Sequence, residues 1–425
     1  MKIPGGATLR TVLFIMCALL SASGTRLSAA DASGKLLGAY FEEWSIYGAD
    51  YNIANVQSSG AACKLTHLLY AFANVSSNQC AIADSWADYQ DPNLPSVDGS
   101  PYTGPLYGNF AAILQLKSLH PDLKVLISIG GASPSNSAAF AIAAASAKTR
   151  QQLAGSCLNM FITGNIAPGI SAAGLFDGID LDWEFPAAAD KKNFTALVEE
   201  FRAQLDTLGT KNGKHYLLTI AAPAGSQNYS NMELGKVAAQ LDLLNMETYD
   251  YHGTWETTTN NAAPLFPSPR DPSEPENFNI ESTIAAYLQA GVPASKMLLG
   301  IPFYGYGWKG VPSTNNGLYQ SSTGPAPAPA GDSLATDGVA TFRTLETLPG
   351  FTHYRDYFSL SDFIYSPTEQ IFWSYDDPGS IAYKMAYVKL RAGGLAGAFG
   401  WALKDDDAHA TLINAMAAGL DISSH

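Results

Sequence analysis

The sequence predicts an α/β fold: a (β/α)8 TIM barrel with a small α+β insertion between its seventh and eighth strands. Two observations carry that expectation. Short apolar, β-branched or aromatic runs recur eight times along the 425 residues. Most of them are separated by Ala- and Leu-rich stretches with helical spacing. Such alternation calls for parallel strands joined by helical crossovers and argues against an all-β or all-α chain.

In chain order the runs are Leu36–Phe41, Leu65–Ala73, Leu123–Gly130, Phe176–Glu184, Tyr216–Ala222, Leu241–Tyr249, Lys296–Phe303 and Leu395–Trp401. Asp190–Leu208 and Ile280–Ala290 show helical spacing between them. Two connections are too long for one helix. Ser76–Tyr107, between the second and third runs, is rich in Asp, Pro, Ser and Tyr. The other runs from Tyr304 to about Ile381 and carries strand-like pieces of its own: Ala340–Leu345, Phe363–Ser366 and Gln370–Ser374. It also holds a Pro/Ala-rich stretch, Gly324–Ala330. Residues 306–380 are therefore read as a subdomain on the rim of a catalytic barrel spanning 31–425.

Residues 1–30 read as a secretory signal peptide rather than as structure. Lys2 and Arg10 precede an apolar run from Thr11 to Leu20, too short to span a bilayer, and Ser28-Ala29-Ala30 offers small residues for cleavage. The expectation is a secreted, extracellular protein. Cys17 would leave with that segment, and Cys63, Cys80 and Cys157 remain, an odd number. Cys63 and Cys80 flank an extended segment that would hold them apart, so no pairing is assigned. No C-x-x-C spacing suggests a metal.

Composition narrows the partners. Hydrophobic residues make up 47% and charged residues 15%, enough to fill a large core and unlike a disordered chain. The formal charge of −14 argues against nucleic acid and anionic membranes, whose phosphates need clustered Lys and Arg. A neutral or cationic ligand fits better.

The fourth run carries the chemistry. It reads Phe-Asp-Gly-Ile-Asp-Leu-Asp-Trp-Glu-Phe-Pro over residues 176–186. Side chains alternate along a strand, so Asp180, Asp182 and Glu184 share one face while Leu181 and Trp183 point outward to the helices. Three acids facing a barrel interior are costly, because they repel one another and lose hydration. A purely structural strand would carry Val, Ile or Leu there. Barrel active sites lie at the C-terminal strand ends, where Glu184 falls, and crowded carboxyls keep one protonated near neutral pH.

The octet from Asp177 to Glu184 resembles the DGxDxDWE signature of the glycoside hydrolase family 18 chitinases. The similarity continues over nearly all of the remaining chain. It includes Gly38–Trp44 on strand one, Thr66–Ala73 on strand two, Ser128–Gly131 on strand three, Thr248–Trp255 on strand six, Gly300–Gly305 on strand seven, Tyr375–Ile381, and Trp401 closing strand eight.

That resemblance implies retaining hydrolysis of β-1,4-linked N-acetylglucosamine, endo-acting, without an enzyme nucleophile. Glu184 would protonate the glycosidic oxygen, and the substrate's own 2-acetamido carbonyl would attack the anomeric carbon to give an oxazolinium ion. Asp182 would orient the acetamide and balance its positive charge, sharing a proton with Asp180. Tyr249 would donate to the acetamide oxygen, and Asp250 would contact the sugar. Glu184 would then act as base on water. Trp401 would carry the sugar at the cleavage point. Tyr40, Phe72, Trp255, Tyr304 and Trp44 are candidates for stacking or lining, although core packing is favoured for Phe72 and Trp44. His252 is assigned a structural duty, and Asp405-Asp406-Asp407 a solvated loop. No cofactor or metal is implied. The expected partner is chitin or chitooligosaccharides, met by a monomer.

Three positions depart from the family pattern. Ala132 stands where many members place a Trp platform for the leaving-group side. Glu247 replaces an inward Met on strand six, placing an extra carboxyl near Asp180 and Asp182. Tyr306 replaces an Arg. Two other readings use the same fold: a carbohydrate-binding lectin, which the presence of Glu184 opposes, and an endo-β-N-acetylglucosaminidase acting on N-glycans.

Overall fold

Side chains are buried on both faces of the strands and apolar at most positions, so the sheet must be covered inside and out, and closure is how the chain achieves it. The computed structural model describes residues 34–273 and 278–423. The expected signal peptide, residues 1–30, lies outside them.

Eight strands form the barrel: β1 (Leu36–Glu42), β2 (His67–Ser76), β3 (Lys124–Gly130), β4 (Gly178–Asp182), β5 (Leu217–Ala222), β6 (Leu243–Met246), β7 (Met297–Pro302) and β8 (Gly397–Trp401). Each pairs in parallel with its neighbour in sequence, and β1 pairs with both β2 and β8, so the sheet closes. The predicted (β/α)8 barrel is what forms. Inside it pack Tyr40, Leu69, Leu126, Leu243, Leu298 and Phe399; a larger core lies between strands and helices.

The outer helices follow from their apolar faces. In α5 (Lys191–Asn212), Phe194, Leu197, Val198, Phe201 and Leu205 recur at helical spacing and are buried. Truncating any one of them to Ala would cost about 2–5 kcal/mol. Gly213 ends this helix with φ 64°, the left-handed conformation that a glycine adopts freely.

Two connections differ from the sequence expectation. The strand β2 runs on to Ser76 and turns back through Ser77 and Asn78, both at positive φ, into a short antiparallel strand, Gln79–Ile82. A two-residue turn of this kind matches the twist of a hairpin. The turn brings Cys80 to a disulfide with Cys157 at the end of α4 (Ala147–Cys157), Cα atoms 5.0 Å apart. Cys63 is buried.

Between β7 and β8 stands a separate antiparallel sheet. Its main path runs Gly324–Pro325, Tyr304–Lys309, Ile371–Tyr375, Ser361–Ser366, Thr352–Asp356, and Val339–Thr341 pairs with Tyr304–Lys309. The insertion thus begins at Tyr304, directly after β7. Trp308, Val311, Leu318, Phe363, Tyr365 and Phe372 fill its core. The segment Ala340–Leu345 is only half strand: from Phe342 it turns helical, which buries Phe342 and Leu345 three residues apart on one face.

Asp405-Asp406-Asp407 is not a solvated loop. Asp405 and Asp406 are 2% and 3% exposed. Asp406 accepts from the backbone N–H of Leu412 and Ile413, and Asp407 from Thr411, anchoring the start of α9 (Thr411–Gly419). Orphan amides at a helix start take carboxylates readily, which is why the run goes inside.

Candidate active site

Register places the acids. Asp180 lies on β4 directly beside Ser128 of β3 and Thr219 of β5, all facing the barrel axis. Its carboxylate is fully buried and takes four hydrogen bonds: from Tyr40 Oη (2.9 Å), Ser128 Oγ (2.7 Å), Thr219 Oγ1 (2.5 Å) and Asn245 Nδ2 (3.1 Å). Burial raises its pKa and these donors oppose the rise. Both oxygens are thus occupied by donors that favour the charged form. Asp182 follows on the same inner face, and the charge of Asp180 is among those that raise its carboxyl.

Asp182 turns toward Glu184. Carboxyl oxygens of the two lie within 4.8 Å of each other. Burial first, then the charges of Glu184, Glu247 and Asp180, push the Asp182 carboxyl well above the usual carboxylate range. Its Oδ1 is buried without a partner. Burial also pushes Glu184 up to about 7, partly offset by the neighbouring Asp182. Glu184 follows the last residue of β4 by two, so its carboxyl stands at the barrel mouth. Trp183 between them points outward and is held flat against Phe140 (5.5 Å, 8°), its Nε1 donating to Ser137 Oγ at 3.0 Å. This packing fixes the alternation that aims both acids inward.

The end of β6 supplies the rest. Tyr249 is 8% exposed and its hydroxyl is held neutral, by burial first and then by Glu247, Asp250, Glu184 and Asp182. Asp250 sits at φ 56° on the cleft floor, and Tyr304 Oη donates to it at 2.5 Å. Tyr306 is a second donor, and burial still lifts Asp250 to about 6. Although Asp250 presents surface to solvent, walls of the cleft surround it, and this enclosure sets the direction of the shift. Glu247, Glu184, Tyr249, Asp250 and Trp255 line one cavity of about 280 Å³. A wider depression of about 760 Å³ between Lys191, Glu233 and Gln289 is open and lies away from the acids.

The aromatic candidates divide. Trp401 is half-buried and stacks on Phe72 (5.8 Å, 25°), which stacks on Trp44 (5.9 Å, 29°). Trp44 is 39% exposed rather than core, and Phe72 is half-buried, so both join this ladder. Tyr40 is 2% exposed, beneath Trp401 at 4.9 Å with its hydroxyl committed to Asp180. Its place is inside the barrel, where it supports the tryptophan instead of lining the groove. Trp255 is 60% exposed and meets Tyr306 edge to face at 5.2 Å.

Sequence reasoning missed Phe185, Gln227, Asn228 and Phe278, which line the same cavity. Gln227 and Asn228 follow β5, and their place after a strand end is the signal that could have found them. Tyr306, which stands in place of the family's Arg, holds Asp250. Ala132 is exposed and offers no platform. His252 is fully buried, Nδ1 3.0 Å from Glu256.

Carboxyl oxygens of Asp182, Glu184 and Glu247 lie within 4.8 Å of one another, close enough to seat a cation geometrically. Acids alone do not specify one; the same closeness suits a shared proton. Among the described residues no helix is long and apolar enough to cross a membrane.

Residues 37–406 match the family described as glycosyl hydrolases family 18. The chain is 34% identical to chitinase A1 of Niallia circulans over 91% of its own length, spanning 58% of that protein. It is 32% identical to endochitinase 1 of Metarhizium robertsii over 88% of its length and 82% of the relative. The catalytic domain of psychrophilic chitinase B from Arthrobacter TAD20 superposes with a TM-score of 0.84 at 31% identity, over 92% of this chain and 96% of that one. With its closed barrel and its acidic strand four, the chain belongs to glycosyl hydrolases family 18.

Proposed function

We propose that the protein is a secreted chitinase that cleaves β-1,4 bonds between N-acetylglucosamine units, endo-acting and with retention of configuration. The observation that carries the reading is the Asp182–Glu184 pair, Asp182 buried and Glu184 lining the cavity, with carboxyl oxygens within 4.8 Å of each other. A carboxyl held up to about 7 keeps its proton at mildly acidic pH and can give it to a leaving oxygen. Inverting hydrolysis needs carboxyls roughly 6.5–9.5 Å apart so that water fits between them. Oxygens of Asp182 and Glu184 within 4.8 Å leave no such room.

Glu184 donates its proton to the glycosidic oxygen as the bond to the anomeric carbon breaks. The substrate's acetamide oxygen closes onto that carbon, forming the oxazolinium ion. Asp182 takes the acetamide N–H and balances the charge that develops there, and Tyr249 Oη donates to the oxygen. Glu184, now a carboxylate, draws a proton from water that opens the ring with net retention. Asp180, fixed by its four donors, holds a negative charge beneath Asp182. Trp401, on its aromatic ladder, stacks against the sugar. A neutral polysaccharide meets no repulsion from this acidic cleft.

The test is release of reducing ends from chitin hexamer with analysis of product lengths. Tetramer, trimer and dimer early in the reaction, abolished in Glu184→Gln, are expected. Binding without turnover would point to a lectin. Glycan release from a glycoprotein without cleavage of the hexamer would point to an N-glycan hydrolase.

A further inference from the structure

Just past β6, whose Asn245 looks into the barrel, Glu247 lines the cavity together with Tyr249. Asn245 donates to Asp180, which fixes it on the inner face. At the position of Glu247 a barrel wall ordinarily wants a hydrocarbon side chain. Here a carboxyl stands within 4.8 Å of the carboxyl oxygens of both Asp182 and Glu184, and its Oε2 is buried without a hydrogen-bond partner.

We propose that Glu247 is a positioning residue for the proton: a third carboxyl of the Asp182–Glu184 pair that keeps Glu184 in its acid form to higher pH. The proposal rests on the reading of Glu184 as the general acid.

Three carboxyls at this range cannot all be ionised, because each added negative charge makes the next proton harder to remove. The groups facing Glu247 from the neighbouring segments are Asp180, Asp182 and Glu184 from the β4 side, Tyr249 and Asp250 from its own segment, and Tyr287 of α7 (Ile280–Gln289). None of these is a cation. Burial first, then Glu184, Asp250 and Asp180, drive Glu247 well above the usual carboxylate range. The three carboxyls release their protons as one coupled set, so the last proton open to Glu184 leaves against two negative carboxylates, and against only one when residue 247 is neutral. The sign follows: without the third carboxyl, Glu184 loses its proton at lower pH, and the alkaline limb of activity moves down.

The test compares pH profiles of kcat and kcat/KM on chitin hexamer for the wild type, Glu247→Gln, Glu247→Met and Glu247→Asp, with thermal melts to identify the folded variants. Gln keeps the shape, Met supplies the hydrocarbon, and Asp keeps the charge one methylene shorter. The expected result is an alkaline limb lowered by about one pH unit in Gln and Met and partly restored in Asp. Profiles that overlay the wild type in Gln or in Met overturn the proposal. So does an Asp profile that matches Met. Failure of the parent reading looks different: the wild type then shows no turnover that Glu184→Gln removes.

Discussion

The Tyr40 hydroxyl donates to Asp180 Oδ2 at 2.9 Å across the barrel, joining β1 to β4 beneath the catalytic pair. One residue thereby does two things, since its ring also carries Trp401 at 4.9 Å. Tyr40→Phe keeps the ring and deletes the donor. It should cost about 1.5–3 kcal/mol in denaturant unfolding, the usual worth of a hydrogen bond to a buried charge. With one fewer donor favouring the carboxylate, the acid limb of the pH–rate profile should move up. An unchanged acid limb would show that Asp180 does not communicate with the reaction.

Stability and activity should pull against each other at Glu184. Glu184 and Glu42 are both raised from 4.5 to about 7, by burial in each case. From about pH 4.5 to pH 7 the folded protein therefore holds protons that the unfolded chain has released. Stability then falls as pH rises through this window, because the native state binds more protons than the unfolded one. Glu184→Gln, which has no charge to bury, should gain about 1–2 kcal/mol over the parent at pH 8 and nothing at pH 4. Thermal melts at the two pH values measure this.

The ladder Trp401–Phe72–Trp44 offers one continuous apolar face beside the acids. Trp401→Ala should raise KM for chitin hexamer about tenfold, equivalent to about 1.4 kcal/mol of lost stacking. Trp44→Ala, farther out and 39% exposed, should matter less on the hexamer than on long chitin. Steady-state kinetics on both substrates separate the two effects.

Cys80–Cys157 closes a loop across 77 residues and pins the β2 hairpin to α4. Chain entropy assigns such a loop about 4 kcal/mol. Cys157→Ser should lose about that much in urea unfolding and leave the pH profile unmoved, since the bridge lies outside the acid cluster.

The eight strands were legible because each is a short apolar run bounded by polar turns, and the structure places each within a few residues of its run. The acids of β4 were legible for the opposite reason: Asp180, Asp182 and Glu184 violate the apolar rule on one face while Leu181 and Trp183 keep it. What the sequence hid was pairing in three dimensions. Nothing local tells that Cys80 meets Cys157 or that Asp406 turns inward to cap α9. Nor does it say that Asp180 spends its oxygens on four donors from four other strands, leaving Asp182 to Glu184. Tyr40 and Trp44 were misplaced because an aromatic residue at a strand end can face either the interior or the groove.

The central claim, attack by the substrate's own acetamide with Glu184 as acid, is tested most directly by the anomer first formed. Proton NMR of chitin hexamer during its first minutes with the wild-type enzyme should show new reducing ends as the β anomer, and none at all with Glu184→Gln. New ends that emerge as the α anomer would mean single-step inversion and contradict the account.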